Sequence, residues 1–341
     1  MAKAIDLSEA EDLKKTLLQL FQSGHINFLI GSGASHPAIP IASTVEADIA
    51  ALLKEQKEDE AREMMYDFLA TVQTPTNRMI SGKPTQSIAD VLQQYQSFLG
   101  TIEQLLFERR TALLPKQASI FTTNYDLMFE MASAKLGSIR LNDGFDRVPC
   151  LDGKALHSPR SFYNTTFNTG NLYTYRVELP CINLIKLHGS LSWVRDKGEI
   201  AFRVQELALL TNEEKSPDSI EAFLKKYSII LPQASKLYSS VLDTTYYEQL
   251  RLLANELERE NVVVVAFGFS FNDEHILRVV KRGLKNPTAR LLAFAYDEDS
   301  AKSYMKKFTG YKNVDVLSLP AGRVVDFAAF NELLSEVVTR G

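Results

Sequence analysis

Two apolar rhythms run along this chain. Short continuous runs at 26–30, 118–122, 181–187, 262–267, 290–296 and 314–319 have the length and the Val/Ile/Leu content of buried strands. Between them, apolar residues recur at helical spacing, first at 8–22 through Leu13, Leu17, Leu18 and Phe21. Further helices are predicted at 127–136, 244–258, 273–284 and 299–308, with a closing one from about 326. Continuous apolar strands alternating with helices predict an α/β fold, a Rossmann-like parallel sheet with helices on both faces.

Three stretches depart from this alternation. Residues 44–114 are rich in Glu, Lys, Gln, Ala and Leu, far more than one crossover needs, and predict a helical insertion broken at Thr74-Pro75 and Lys83-Pro84. Residues 137–180 mix Gly, Asn, Asp, Pro, Tyr and Thr without a period, and predict loops and short hairpins over a cleft. Residues 211–226 read as a surface excursion. There is no solenoid repeat and no low-complexity tract; the length allows one large domain with insertions or two domains sharing a core, and residues 1–341 are read as one domain.

Composition narrows the function classes. The 341 residues are 45% hydrophobic and 23% charged, ordinary for a globular protein. A net charge of −4 with no long Lys/Arg block argues against direct binding of nucleic acid. The run at 262–267 is far too short to span a bilayer, so no membrane association is expected. Asp6, Glu9, Glu11 and Asp12 near the start do not read as a signal peptide. Cys150 and Cys181 are the only cysteines, too few for a disulfide framework or a Cys-based zinc ribbon. A cytoplasmic protein without a metal is the expectation.

The chemistry concentrates where strands end. The run at 26–30 stops in Gly31-Ser32-Gly33-Ala34-Ser35, a turn whose glycines let a backbone approach a phosphate and whose N–H groups can bind it. The third glycine of a dinucleotide fingerprint is missing, since His36 stands in its place. Thr122-Thr123-Asn124-Tyr125-Asp126 follows the second run, His188-Gly189-Ser190 the third, and Gly268-Phe269-Ser270-Phe271-Asn272-Asp273-Glu274-His275 the fourth. Helix capping or turn geometry explains each cluster singly. Their coincidence at four strand ends predicts one site at the carboxyl edge of the sheet. Tyr296-Asp297 either approaches the same ligand or caps the next helix. Asp273 and His275 read as braces of the Gly268 turn, and Trp193 as core.

The order Gly-x-Gly-Ala-Ser, Thr-x-Asn-x-Asp, His-Gly and Gly-x-Ser resembles the sirtuin superfamily. The resemblance implies an NAD site: Gly31, Ser32, Gly33, Ala34 and Ser35 on the pyrophosphate, and Asn124 and His188 beside the nicotinamide ribose. Asp126 would meet the carboxamide, with Thr122 in the same cluster, and Gly268, Ser270 and Asp297 would lie on the adenosine side. Two features depart from sirtuin deacylases. Paired Cys-x-x-Cys motifs are absent, and the Gly-Ile-Pro-Asp-Phe-Arg segment is reduced to Ile39-Pro40 followed by Ile41-Ala42-Ser43. Residues 268–276 are instead similar to the Gly-Phe-Ser-x-x-Asp-x-His-Ile segment of zinc-free bacterial NAD hydrolases of anti-phage defence. That branch implies NAD as substrate, His188 as general base and Asn124 orienting water or ribose. It also implies control by homo-oligomerisation or by a partner such as a HerA-type DNA-translocase ATPase. Protein deacylation or ADP-ribosyl transfer, and a non-catalytic subunit binding NAD or ADP-ribose, are the other readings.

Overall fold

The apolar runs assemble into one eight-stranded, wholly parallel sheet. The computed structural model describes residues 2–9, 11–109, 113–146, 154–169, 176–196, 199–204, 208–211, 213–225 and 244–339. Its strands are β1 (Lys3–Asp6), β2 (His25–Ile30), β3 (Gln117–Thr122), β4 (Leu141–Asn142), β5 (Phe167–Asn168), β6 (Val177–Glu178), β7 (Cys181–Lys186), β8 (Trp193–Asp196), β9 (Glu199–Phe202), β10 (Val262–Phe267), β11 (Arg290–Phe294) and β12 (Val314–Ser318). The helices are α1 (Glu11–Ser23), α2 (Ala42–Lys54), α3 (Glu58–Ile80), α4 (Gln86–Phe107), α5 (Met128–Leu136), α6 (Pro217–Leu224), α7 (Thr244–Leu257), α8 (Glu274–Gly283), α9 (Glu298–Lys307) and α10 (Phe327–Thr339). Strand order is β1-β12-β11-β10-β2-β3-β7-β4, and the pairs β5-β6 and β8-β9 form separate antiparallel hairpins.

Because strand side chains alternate, each central strand feeds two cores. Ile26, Phe28, Ile30, Val263, Val265 and Phe267 pack with residues of α1, α3, α4, α5 and α10. Leu29, Val262, Val264 and Ala266 pack with residues of α7, α8 and α9 on the other face. Phe330 of α10 stacks on Phe267 at 4.4 Å and meets Phe294 edge-on at 4.8 Å. Burial on both faces is why these strands read as unbroken apolar runs.

Three local features differ from expectation. β1 has no apolar run behind it: four residues with an exposed, polar pattern pair along the sheet edge with β12. The expected break at Pro75 does not occur, and α3 runs through it. Pro75 is buried in a helix face shared with Met65, Leu69, Val72 and Met79. Tertiary burial along that face outweighs the roughly 3 kcal/mol that an interior proline costs. Lys83-Pro84 does separate helices, and the Thr85 hydroxyl caps α4 by accepting from the Ile88 N–H. The stretch 211–226 is anchored: Phe223 of α6 packs edge-on against Tyr66 of α3 at 5.1 Å, with residues 212 and 226 outside the described ones. Among the described residues no helix is long and apolar enough to cross a membrane.

The β8-β9 hairpin has its own small core of Phe145, Trp193, Ile200 and Tyr246. His157 packs into it, 5.1 Å from the Trp193 ring, with Nε2 3.0 Å from the Gln249 amide nitrogen. That amide donates to an unprotonated ring nitrogen, and burial pushes the imidazole down to about 4. A histidine whose folded pKa lies below its unfolded value of about 6.5 supports the fold above that pH and withdraws support as pH falls towards 4. Urea unfolding at pH 7 and pH 5 is therefore expected to show a loss of stability that shrinks by roughly 2 kcal/mol in His157→Gln.

Candidate functional site

The chain leaves β2 towards β3 on one side and comes back to β10 on the other, so the sheet order reverses beside β2. Ligands of open α/β sheets bind outside the carboxyl ends of the strands at such a point. The adjacent strands β10, β2, β3 and β7 end in the four polar clusters, and these clusters share one cleft. Gly31, Ser32 and Ser35 line it from β2, 123–126 from β3, His188 from β7, and Gly268, Phe269, Ser270, Asn272 and Asp273 from β10. Ile39, Pro40, Phe68 and Val72 add an apolar wall, and the volume is about 700 Å³ including the mouth. Among the described residues, none of its lining comes from 137–180.

The glycines serve a purpose that local sequence does not reveal. The Gly31 N–H donates to the Phe267 carbonyl at 3.1 Å, and the Gly33 N–H to the Gly268 carbonyl at 3.0 Å. A Cβ on Gly31 would stand 2.3 Å from the Gly268 oxygen, and one on Gly33 would stand 2.7 Å from the Gly268 Cα. Gly268 itself has φ +61°. Two turns thus touch backbone to backbone, which only glycine permits. Ala34 N–H donates to the Gly31 carbonyl and Ser35 N–H to that of Ser32, both at 3.1 Å. Of the five N–H groups expected to face a phosphate, only that of Ser32 lacks a protein acceptor among the described residues. Gly33 and Ala34 lie behind the cleft wall, not on it.

A buried polar network ties β2 to β3. The Asn124 side-chain amide donates to the Gly31 carbonyl at 3.1 Å, the Ser35 hydroxyl at 3.3 Å and the Tyr95 hydroxyl at 3.4 Å. Its backbone N–H is held by the hydroxyl of Thr122, a fully buried brace that does not line the cleft. Asp126 is 2% exposed: one carboxylate oxygen accepts from Ser35 Oγ at 2.8 Å, the other from the Met128 N–H at 3.1 Å. Its carboxylate, expected at the carboxamide of a ligand, here holds the Ser35 turn. Tyr95, on α4, bonds Ser35 at 2.8 Å; burial first, and the Asp126 charge second, hold its hydroxyl well above the usual phenol range. Asn124 Oδ1 is left over, buried and without a partner among the described residues, as is Glu130 Oε2 beneath it. An orphaned buried acceptor costs about 1–3 kcal/mol, and that of Asn124 belongs to a residue of the cleft lining.

Below this network, Lys186 is 2% exposed, bonds the Asp126 carbonyl and pairs with Glu130 at 3.0 Å. Burial raises the Glu130 carboxyl, and the Lys186 charge opposes that rise. His188 sits at the next strand end, its Nε2 3.0 Å from Asp273 Oδ2. The other Asp273 oxygen caps α8 by accepting from the His275 and Ile276 N–H groups, at 3.0 and 3.2 Å. Lys307 of α9 fastens the same turn, reaching the Ser270 carbonyl and Asn272 Oδ1, each at 2.7 Å. Phe271 adopts φ +55° within a cluster of Phe269, Tyr304 and Phe308. A left-handed phenylalanine stores strain of order 1–3 kcal/mol, held in place by that packing.

Asp297 is not part of the cleft. Its carboxylate caps α9 by accepting from the Ser300 N–H at 2.8 Å, and the bonds with Ser300 hold it below the usual carboxylate range. Trp193 lies in the hairpin core at 3% exposure. Among the described residues no three His, Cys, Asp or Glu side chains are grouped to hold a metal ion; Cys181 is buried and Cys150 lies outside the described residues. Sequence reasoning missed Tyr95, which reads there as one more core position of a periodic helix. Backbone contact predicts that Gly31→Ala loses about 1–3 kcal/mol in denaturant unfolding. Gly100→Ala, on open helix surface in α4, should gain up to about 1 kcal/mol.

Comparison with known proteins bears on the same strands. No curated protein matches the chain. The family model for the SIR2-like domain matches residues 118–317, a range that holds Asn124, His188 and the Gly268 turn and begins after the Gly31 turn. That match covers well over half of the sequence, and this chain belongs to the SIR2-like domain family.

Proposed function

We propose that this protein is an NAD glycohydrolase, cleaving the nicotinamide–ribose bond to give nicotinamide and ADP-ribose. SIR2-like domains bind NAD, and members of the family are in general NAD-dependent enzymes. The observation that carries the finer reading is the orphaned Oδ1 of Asn124 in the cleft that His188 also lines. An acceptor there and a histidine nearby are what addition of water to a ribose requires. As the C–N bond breaks, its electron pair leaves with nicotinamide and positive charge develops on the ribose. Water adds to the anomeric carbon and gives up its proton to His188, while Asn124 Oδ1 holds that water or a ribose hydroxyl. Ser32, with its N–H and hydroxyl, is the group of the first turn best placed for a phosphate oxygen. Asp126 acts by holding the turn in place.

Two cysteines cannot build the four-thiolate ribbon of sirtuin deacylases, which favours hydrolysis over protein deacylation. We read the whole chain as one NAD-binding unit with 44–114 inserted in it. Its role is that of an NAD-depleting effector of anti-phage defence, acting in the cytoplasm and held in check by homo-oligomerisation or by a HerA-type ATPase partner. Purified protein incubated with NAD, alone and with such a partner, should release nicotinamide and ADP-ribose, resolved by chromatography. Asn124→Ala and His188→Ala should keep the melting temperature within a few degrees and lose on the order of 100- to 10,000-fold in turnover. Full activity in the double variant would refute the mechanism, and intact NAD that still raises the melting temperature would favour a binding subunit.

A further inference from the structure

The contact between His188 and Asp273 joins two strand ends, those of β7 and β10, that are not neighbours in the sheet. Both side chains are largely buried, at 10% and 12% exposure, and both residues line the cleft. The Asp273 carboxylate is divided: Oδ1 accepts the His275 and Ile276 N–H groups at the start of α8, and Oδ2 meets His188 Nε2 at 3.0 Å. An ionised carboxylate only accepts hydrogen bonds, so the atom facing it across that distance carries the proton.

We propose that Asp273 is a positioning residue that fixes the tautomer of His188, with the proton on Nε2 and the lone pair on Nδ1, making Nδ1 the base. This rests on the hydrolase reading above and names the atom through which it works. During hydrolysis the water proton passes to Nδ1 as the water oxygen bonds the anomeric carbon and nicotinamide departs with the bonding electrons. The ring is then positively charged beside a carboxylate already in place, as in the carboxylate–imidazole arrangement of serine hydrolases. Helix α8 supplies the rigidity, because the cap prevents the carboxylate from turning away from the ring.

The same cap makes the idea testable with one atom. In Asp273→Asn the amide oxygen stays on the two α8 N–H groups, since asparagine caps as well as aspartate. The amide nitrogen, a donor, then faces His188 Nε2, which has to become the acceptor. The ring is driven to the opposite tautomer and Nδ1 is no longer a base. The experiment uses the full chain with nitrogen-15-labelled histidine rings, the His188 signals among five histidines being assigned with His188→Gln. Wild type is expected to show a protonated Nε2, and Asp273→Asn a protonated Nδ1 with an unchanged melting temperature. With NAD, that variant should lose at least about 100-fold in kcat while KM stays within about threefold. A protonated Nδ1 in wild type, or a folded Asp273→Asn that keeps the wild-type tautomer, would overturn the proposal. Should the variant not fold, the wild-type spectrum alone decides. Should wild type leave NAD intact, the hydrolase reading fails while the spectra still decide what Asp273 does.

Discussion

Everything at the carboxyl edge of this sheet depends on how closely the turn after β2 approaches the turn after β10. Two hydrogen bonds join them, and the space a methyl group would need is filled by the opposing backbone. This seating sets the height of Ser32 and Ser35 on one side and of Ser270 to Asp273 on the other. The cleft exists because the two turns lock there and the neighbouring strands β3 and β7 deliver Asn124 and His188 at the same level. Register supports this, with Phe267, Ile30, Thr122 and Lys186 aligned across four strands. Rigidity of this kind is what lets a site hold donors and acceptors at fixed distances without reorganising around its ligand.

The buried polar groups divide into those that hold and those that are held ready. Thr122, Asp126, Tyr95 and Lys186 are satisfied within the protein and convert a loop edge into part of the core. Such a network is favourable only when every member is paired, since an unpaired group at low dielectric is expensive. Asn124 Oδ1 departs from that rule at the place where a ligand would complete it. Phe271 departs in another way, with a left-handed backbone kept by the rings of Phe269, Tyr304 and Phe308 and by the Lys307 clasp beside it. Free energy from the surrounding packing maintains both departures.

How much of this was legible in the sequence follows from the range of each interaction. Strands buried on both faces announce themselves as unbroken apolar runs, so β2, β3, β7, β10, β11 and β12 were readable and the parallel sheet with them. The clusters of the site were readable because polar residues directly follow those runs. Edge strand β1, with four mostly exposed residues, carries no such pattern. What could not be read is which distant residue each group would meet. Gly31 looks like a phosphate turn until Gly268 is found against it. Asp273 looks like a helix cap, which it is, until His188 is found on its second oxygen. Tyr95 has only the helical period of its neighbours, and its hydroxyl gains meaning from Ser35, 60 positions earlier.

The β2–β10 pairing also orders events in time. Ile26 lies beside Val263 and Ile30 beside Phe267, so β2 is translated long before its neighbour exists. Until residue 268 has been made, one edge of β2 is open, the Gly31 and Gly33 N–H groups have no acceptors and half of the cleft is missing. A chain that lacks β10 carries β2, β3 and β7 with Asn124 and His188 after them. It cannot close the pocket around them. Closure of the cleft is thereby deferred to the last third of synthesis, a consequence of topology alone.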